Sequence, residues 1–124
     1  MDGQTPWGRI KRRTEYQRAG RGKRVNTAAF TLLAARAPEG EAIGPRYGLT
    51  VSKKTGNSPA RHRIKRRLRE AMRRVPPGEV RVGHDYVLIA RRDALTLAFA
   101  ALVADIAGAI QRAHAARPAR DELR

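Results

Sequence analysis

The chain has 124 residues, enough for one domain with a modest core. It carries 27 Lys and Arg against 11 Asp and Glu, a net charge of +16, while 41% hydrophobic residues support a folded protein rather than a disordered basic tail. It has no cysteine, which removes disulfide partners and thiolate metal sites and fits a reducing cytoplasm.

Residues 1–8 show no element and are expected to be flexible, as is the charged tail 117–124. The span 1–124 otherwise reads as a single domain. Arg9 to Ala19 reads as a short basic helix, with Ile10 and Tyr16 as its larger apolar side chains. Gly20-Arg21-Gly22-Lys23 is a turn. Val25 to Ala35 reads as a strand, with Phe30, Leu32 and Ala34 on one face and Thr31, Leu33 and Ala35 on the other. A Pro/Gly/Glu loop runs from Ala37 to Gly44. Arg46 to Ser52 is a second strand, with Tyr47, Leu49 and Val51 facing one way and Gly48, Thr50 and Ser52 the other. That alternation predicts a sheet covered on one side and open on the other.

The loop Lys53-Lys54-Thr55-Gly56-Asn57 leads into a helix that reaches Arg74. Ser58 is the expected cap, and Pro59 fits the first helical position, where its missing N–H costs nothing. Ala60, Ile64, Leu68, Ala71, Met72 and Val75 form one apolar stripe, and Val75-Pro76-Pro77-Gly78 stops the helix. Asp85 to Arg91 is a third strand. A last helix runs from about Leu97 to Ala115, with Thr96 as its expected cap and Phe99, Leu102, Val103, Ile106 and Ile110 as its core stripe. The order helix, strands, helix, strand, helix predicts a small two-layer α+β sandwich. The strands flanking the middle helix can pair in parallel through a crossover. The apolar stretch from Leu95 to Ile110 contains Asp105 and reads as amphipathic rather than membrane-spanning. The segment MDGQTPWGRIKRR lacks the apolar centre of a secretory signal.

The middle helix carries Arg61, Arg63, Lys65, Arg66, Arg67, Arg69, Arg73 and Arg74, with Glu70 as its one acid. Solvated helices interleave acids with bases, and this one hardly does, so the pattern points to a polyanion. The partner class is nucleic acid. Lys53 and Lys54 end a strand, Gly56 allows a sharp turn, and Asn57 and Ser58 sit at a helix N-terminus, a natural phosphate site. The polar sheet face can hold an extended single strand, with Tyr16 fitting either base stacking or core packing. Phe30 fits core packing by its pattern. No Ser/His/Asp, Cys/His or paired-carboxylate grouping is present, and His62 lacks a partner for proton transfer. His62, His84 and His114 have no metal-ligand spacing.

The segment GLTVSKKTGNSPARHRIKRRLREAMR, Gly48 to Arg73, resembles the signature region of the bacterial ribonuclease P protein component. That family has a strand ending in SVSKK, then GNA, then an RNRxKRxxR helix. Here these are Thr50-Val51-Ser52-Lys53-Lys54, Gly56-Asn57, and Arg61 to Arg69. Glu15-Tyr16, Phe30, Asp85-Tyr86-Val87-Leu88-Ile89-Ala90-Arg91 and Phe99 to Leu102 extend the resemblance over about residues 9–115. The resemblance implies a left-handed β-α-β crossover around the basic helix, against the usual right-handed rule. It implies a protein subunit that binds a catalytic RNA and the 5′ leader of precursor tRNA. The RNA performs the endonucleolytic cleavage that frees the mature 5′ end. Mg²⁺ is expected for the ribonucleoprotein reaction, held mainly by RNA, with no cofactor assigned to the protein alone.

Residue by residue, the resemblance places Lys53, Lys54, Asn57, Arg61, His62, Arg63, Lys65, Arg66 and Arg69 on the catalytic RNA. It places Tyr16, Phe30, Thr50 and Ser52 on the leader. Three departures stand out. His62 replaces the family's Asn, adding a group whose charge depends on protons. Ala19-Gly20 stands where members often have a second aromatic, and Leu33 where they often have Tyr. The alternatives are a ribosomal or other structural RNA-binding protein, a nucleoid protein, and an independent nuclease. None of these requires the SKK–GN–RxRxKRxxR string.

Overall fold

A computed structural model describes residues 5–42 and 44–115. These form strands β1 (Gly8–Arg9), β2 (Lys23–Asn26), β3 (Phe30–Arg36), β4 (Arg46–Thr50) and β5 (His84–Ala90), and helices α1 (Arg13–Gly20), α2 (Ser58–Arg73) and α3 (Phe99–Ala113). The sheet order is β1-β4-β5-β3-β2. β4 and β5 are adjacent and parallel, joined by the α2 crossover, and β3 lies antiparallel to both β5 and β2. The expected α+β architecture is observed.

Local chemistry sets the boundaries. α1 starts later than predicted because Glu15 closes its N-terminus, its Oε1 accepting from the N–H groups of Lys11 and Arg12, each at 3.0 Å. Gly8 and Arg9, upstream of it, pair with Arg46 and Tyr47 as β1. The single strand read over Val25–Ala35 is a hairpin. Thr27 turns the chain, its N–H donating to the Phe30 carbonyl at 2.8 Å and its hydroxyl accepting from the Phe30 N–H at 3.1 Å. α2 is capped by Asn57, not Ser58: Asn57 Oδ1 accepts from the Ala60 N–H at 3.0 Å. α3 has no side-chain cap, and Thr96 lies two residues before its Ala98 cap position. The segment before α3 is held instead by Arg67, whose guanidinium donates to the carbonyls of Ala94 (2.6 Å) and Leu97.

The main core lies between one sheet face and the two long helices. Phe30, Leu32, Tyr86 and Leu88 meet Ile64, Leu68 and Met72 of α2 and Leu102, Ile106 and Ile110 of α3. These side chains are sealed from water, each worth about 1.5–3 kcal/mol of burial. The second face is not fully open as predicted. α1 covers part of it, where Ile10 and Ala19 pack on Leu33 and Val87.

Residues 5–8 are held against the core, contrary to expectation. The Thr5 hydroxyl donates to the Val75 carbonyl at 3.0 Å, and Trp7 Nε1 to the Met72 carbonyl at 2.9 Å. The Trp7 ring meets Tyr47 and Tyr86 edge-on, with centroids 5.5 and 5.6 Å away. The rest of that segment, 1–4, and the tail 117–124 lie outside the described residues.

Candidate nucleic-acid interface

The apolar stripe fixes which way α2 turns its cations. With Ile64, Leu68 and Met72 inward, the 3.6-residue repeat sends His62, Arg63, Arg66 and Arg69 to the opposite side, and all four are exposed. Lys65 and Arg61 flank them, half-buried, and Arg61 donates to the Gly56 carbonyl at 3.2 Å. Arg63, Lys65, Arg66 and Arg69 have no carboxylate partner among the described residues. Arg73 and Arg74 are paired with Glu70 at 3.6 and 3.2 Å. Arg67 is half-buried and turned toward the segment before α3 by its two carbonyl contacts.

Lys53 and Lys54 lie exposed on a single helical turn, Lys53–Thr55. The Ser52 hydroxyl accepts from the Lys54 N–H at 3.3 Å, and the Thr55 hydroxyl donates to the Ser52 carbonyl at 2.7 Å. Gly56 has φ 149°, and a Cβ there would lie 2.9 Å from the Ala60 Cβ, so the turn into α2 requires glycine. Because Asn57 takes the Ala60 N–H and Pro59 has none, this helix end offers less free N–H to an anion than the sequence suggested. The positive charge at this end comes from Lys53, Lys54 and the α2 side chains.

The basic surface extends along the β1 side of α2. There Trp7, Arg9, Tyr47, Arg69 and Arg73 line a groove of about 240 Å³, with the Arg9 guanidinium 5.1 Å from the centre of the Tyr47 ring. Nothing in the local sequence marks Arg9 and Trp7 for this groove. Their place there depends on β1 pairing with β4, a contact across nearly forty residues.

The second candidate surface is the part of the sheet that α1 leaves uncovered. Tyr16 is half-buried, lying over Gly48 at the edge of α1. Thr50 is exposed on the same face, and Ser52 follows beyond the end of β4. Beside them Arg91 donates to Thr31 Oγ1 at 2.9 Å and Asn26 Oδ1 at 3.2 Å. Phe30 does not join this group. It is 0% exposed on the opposite face, where strand alternation sets it beside Leu32, so it cannot touch a ligand in the folded chain. Arg91 closes the DYVLIAR strand, and its local pattern does not mark it for this face.

An ion network holds α1, and therefore Tyr16, in place. Asp85 is fully buried and takes a two-pronged contact from Arg46, Nε–Oδ1 at 2.8 Å and Nη2–Oδ2 at 2.9 Å. Arg46 also reaches Glu15 at 3.3 Å and Glu41 at 3.0 Å. Arg18 bridges Glu41 at 2.8 Å and Asp85 at 3.2 Å. The Arg12 N–H leads in holding the Glu15 carboxyl below its usual pKa, and Arg18 does so for Glu41. Hydrogen bonding to Asp85 raises the Arg46 pKa further. The three carboxylates gathered here are thus committed to guanidinium groups.

Comparison with known proteins gives a consistent result. The family model for ribonuclease P matches residues 7–114. The ribonuclease P protein component of Ruegeria pomeroyi is 42% identical over 110 residues, covering 88% of each chain. That of Paramagnetospirillum magneticum is 38% identical over 117 residues, covering 87% of this chain and 88% of the relative. The solved RNase P protein of Staphylococcus aureus superposes with a TM-score of 0.68 at 28% identity, covering 86% of this chain and 94% of that one. The RNase P protein from Thermotoga maritima gives 0.69 at 25% identity, covering 84% and 96%.

Proposed function

The chain belongs to the ribonuclease P protein family, and we propose that its α2 surface binds the catalytic RNA while the face around Tyr16 holds the leader of precursor tRNA. The family supplies the protein component of a ribonucleoprotein endoribonuclease that processes tRNA. The observation that carries the proposal is the division of the α2 arginines. Arg67 is committed to the backbone before α3 and Arg73 and Arg74 share the single acid Glu70, whereas Arg63, Lys65, Arg66 and Arg69 have no carboxylate partner among the described residues and stand beside Lys53 and Lys54. A row of cations without acids gains free energy when it meets phosphates and releases their counterions.

The α1–sheet cleft complements it. Thr50 and the Asn26–Thr31–Arg91 group offer polar contacts to a single strand, and Tyr16 offers a ring edge for stacking. Phe30 is replaced in this reading by Arg91. The Mg²⁺ of the reaction is assigned to the RNA, because the clustered carboxylates Glu15, Glu41 and Asp85 are each already engaged by Arg18 or Arg46. The protein binds and positions; the RNA breaks the bond.

The test adds purified protein to catalytic RNA and precursor tRNA. Cleavage at the mature 5′ end, faster than with RNA alone, is expected. Cleavage by protein without RNA, lost in a single point variant, would overturn the division of labour.

A further inference from the structure

β4 and β5 run parallel, so the Lys53–Lys54 turn lies at one end of the sheet and the start of β5 at the other. At that far end, α1, β2, β3, β5 and the end of α3 surround an open pocket of about 530 Å³. Arg21, Lys23, Arg36, Arg81, His84 and His114 line it, together with Arg18 and small side chains, and no carboxylate does. Arg18 is committed to Glu41 and Asp85, and Arg81 donates to the His114 carbonyl at 3.3 Å. Arg21, Lys23 and Arg36 have no side-chain partner among the described residues, and all are exposed.

The convergence is built into the backbone. A Cβ on Gly22 would lie 2.0 Å from the Ala34 carbonyl oxygen, so only glycine lets the α1–β2 turn rest on β3. That contact sets Arg21 and Lys23 over the end of the strand that carries Arg36. His114 lines the same pocket. The Arg81 N–H donates to the Tyr86 hydroxyl oxygen at 3.0 Å, and that hydroxyl is hydrogen-bonded to His114 Nε2, 2.6 Å away. Burial first, then the charges of Arg81, His84 and Lys23, hold the His114 pKa down to about 4. Positive potential accumulates here, with no carboxylate among the lining residues.

We propose that this pocket binds a phosphate group of an RNA strand, giving the protein a second RNA contact at the end of the sheet away from the basic helix. The proposal rests on the RNA-binding reading above. Arg21 and Arg36 present guanidinium forks matched to phosphate oxygens, and Lys23 adds a point charge. No aromatic face lines the pocket apart from the two histidines, so the contact reads backbone rather than base. The protein would then touch RNA at both ends of its sheet.

The test uses the full chain in two measurements. First, R21A/R36A is compared with a charge-matched R92A/R112A variant in assembly with the cognate catalytic RNA, and then in binding of precursor tRNA by the assembled complex. R21A/R36A is expected to weaken one of these roughly tenfold and to flatten its salt dependence by about 0.7–0.9 per lost phosphate, with the control unchanged. Loss in assembly assigns the phosphate to the catalytic RNA, and loss only in the second step assigns it to the precursor. Equal effects of the two variants, or none, overturn the proposal. Second, the His114 ring of the unmutated chain is titrated by NMR alone, with inorganic phosphate, and with a short single-stranded RNA. RNA is expected to raise its pKa. A rise with inorganic phosphate but not RNA, or no rise at all, overturns the RNA site. If the unmutated chain fails to bind the catalytic RNA, the broader reading falls and takes this one with it.

Discussion

Tyr16 lies so close over Gly48 that a Cβ on the glycine would come within 2.5 Å of the Tyr16 hydroxyl oxygen. The strand gives up a side chain at that position so that the helix can lay an aromatic ring across it. Tyr16→Ala is expected to cost about 1–3 kcal/mol in affinity for precursor tRNA, the range for one stacked base. Affinity for mature tRNA and assembly with the catalytic RNA should hold. Gly48→Ala should displace the ring and reproduce the same pattern, with about 1–3 kcal/mol of lost fold stability from overpacking. Paired titrations with the two tRNA forms check this, and equal losses for both would make Tyr16 a packing residue.

Adjacent arginines on α2 should behave oppositely. Arg66→Ala is expected to flatten the log–log salt dependence of RNA binding by about 0.7–0.9, one phosphate contact, with the fold unaffected. Arg67→Ala should leave the slope alone and destabilise the fold by about 1–3 kcal/mol, because it leaves the Ala94 and Leu97 carbonyls without their donor. Salt-series binding and urea melts on both variants read the difference.

The Arg46–Asp85 contact is the buried centre of the ion network. Removing Arg46 leaves a fully buried carboxylate with Arg18 alone, so Arg46→Ala is expected to cost about 3–5 kcal/mol of stability. The lost stability should come with a looser α1, visible as faster amide exchange at Tyr16. Unchanged exchange there would mean that α1 is held by its apolar contacts alone.

His114 gives a pH dependence with a definite sign. Its pKa falls from 6.5 to about 4 on folding. Above pH 6.5 both states are neutral and stability is complete. As pH drops from 6.5 towards 4, the unfolded chain takes up a proton that the folded one refuses, and stability falls. Glu15 and Glu41 are held below 4.5, so their contributions are lost only at lower pH. Burial keeps the Tyr86 hydroxyl protonated up to about 12, so it remains a donor throughout. His114→Gln keeps an acceptor for Tyr86 and should remove the loss between about pH 6.5 and 4.5. Denaturant melts at both ends of that window check it.

The α2 helix and its cationic face were legible because apolar period, charge and stop signal agree over sixteen residues. What escaped was nonlocal or depended on a single step in phase. Arg66 and Arg67 look alike in sequence, but a turn of about 100° sends one to solvent and the other to the backbone before α3. The Thr27 hairpin turn contains neither Gly nor Pro, so β2 and β3 read as one strand. Alternation grouped Phe30 with Leu32 correctly, but apolar residues occupy both faces of β3, and only the packing of α2 and α3 shows which face is sealed. Tyr16 was recognised as a candidate, while its seat on Gly48 required the fold.

The chain contains one tryptophan, and it is Trp7. Its indole N–H is bonded to the backbone of α2 at Met72, and its ring shares a groove with Arg69 and Arg73. The protein therefore carries its own fluorophore at the border of the basic helix. A single emission band, free of overlap from other indoles, will report both the detachment of the N-terminal segment from α2 and the arrival of a ligand on that side of the helix, with no label attached.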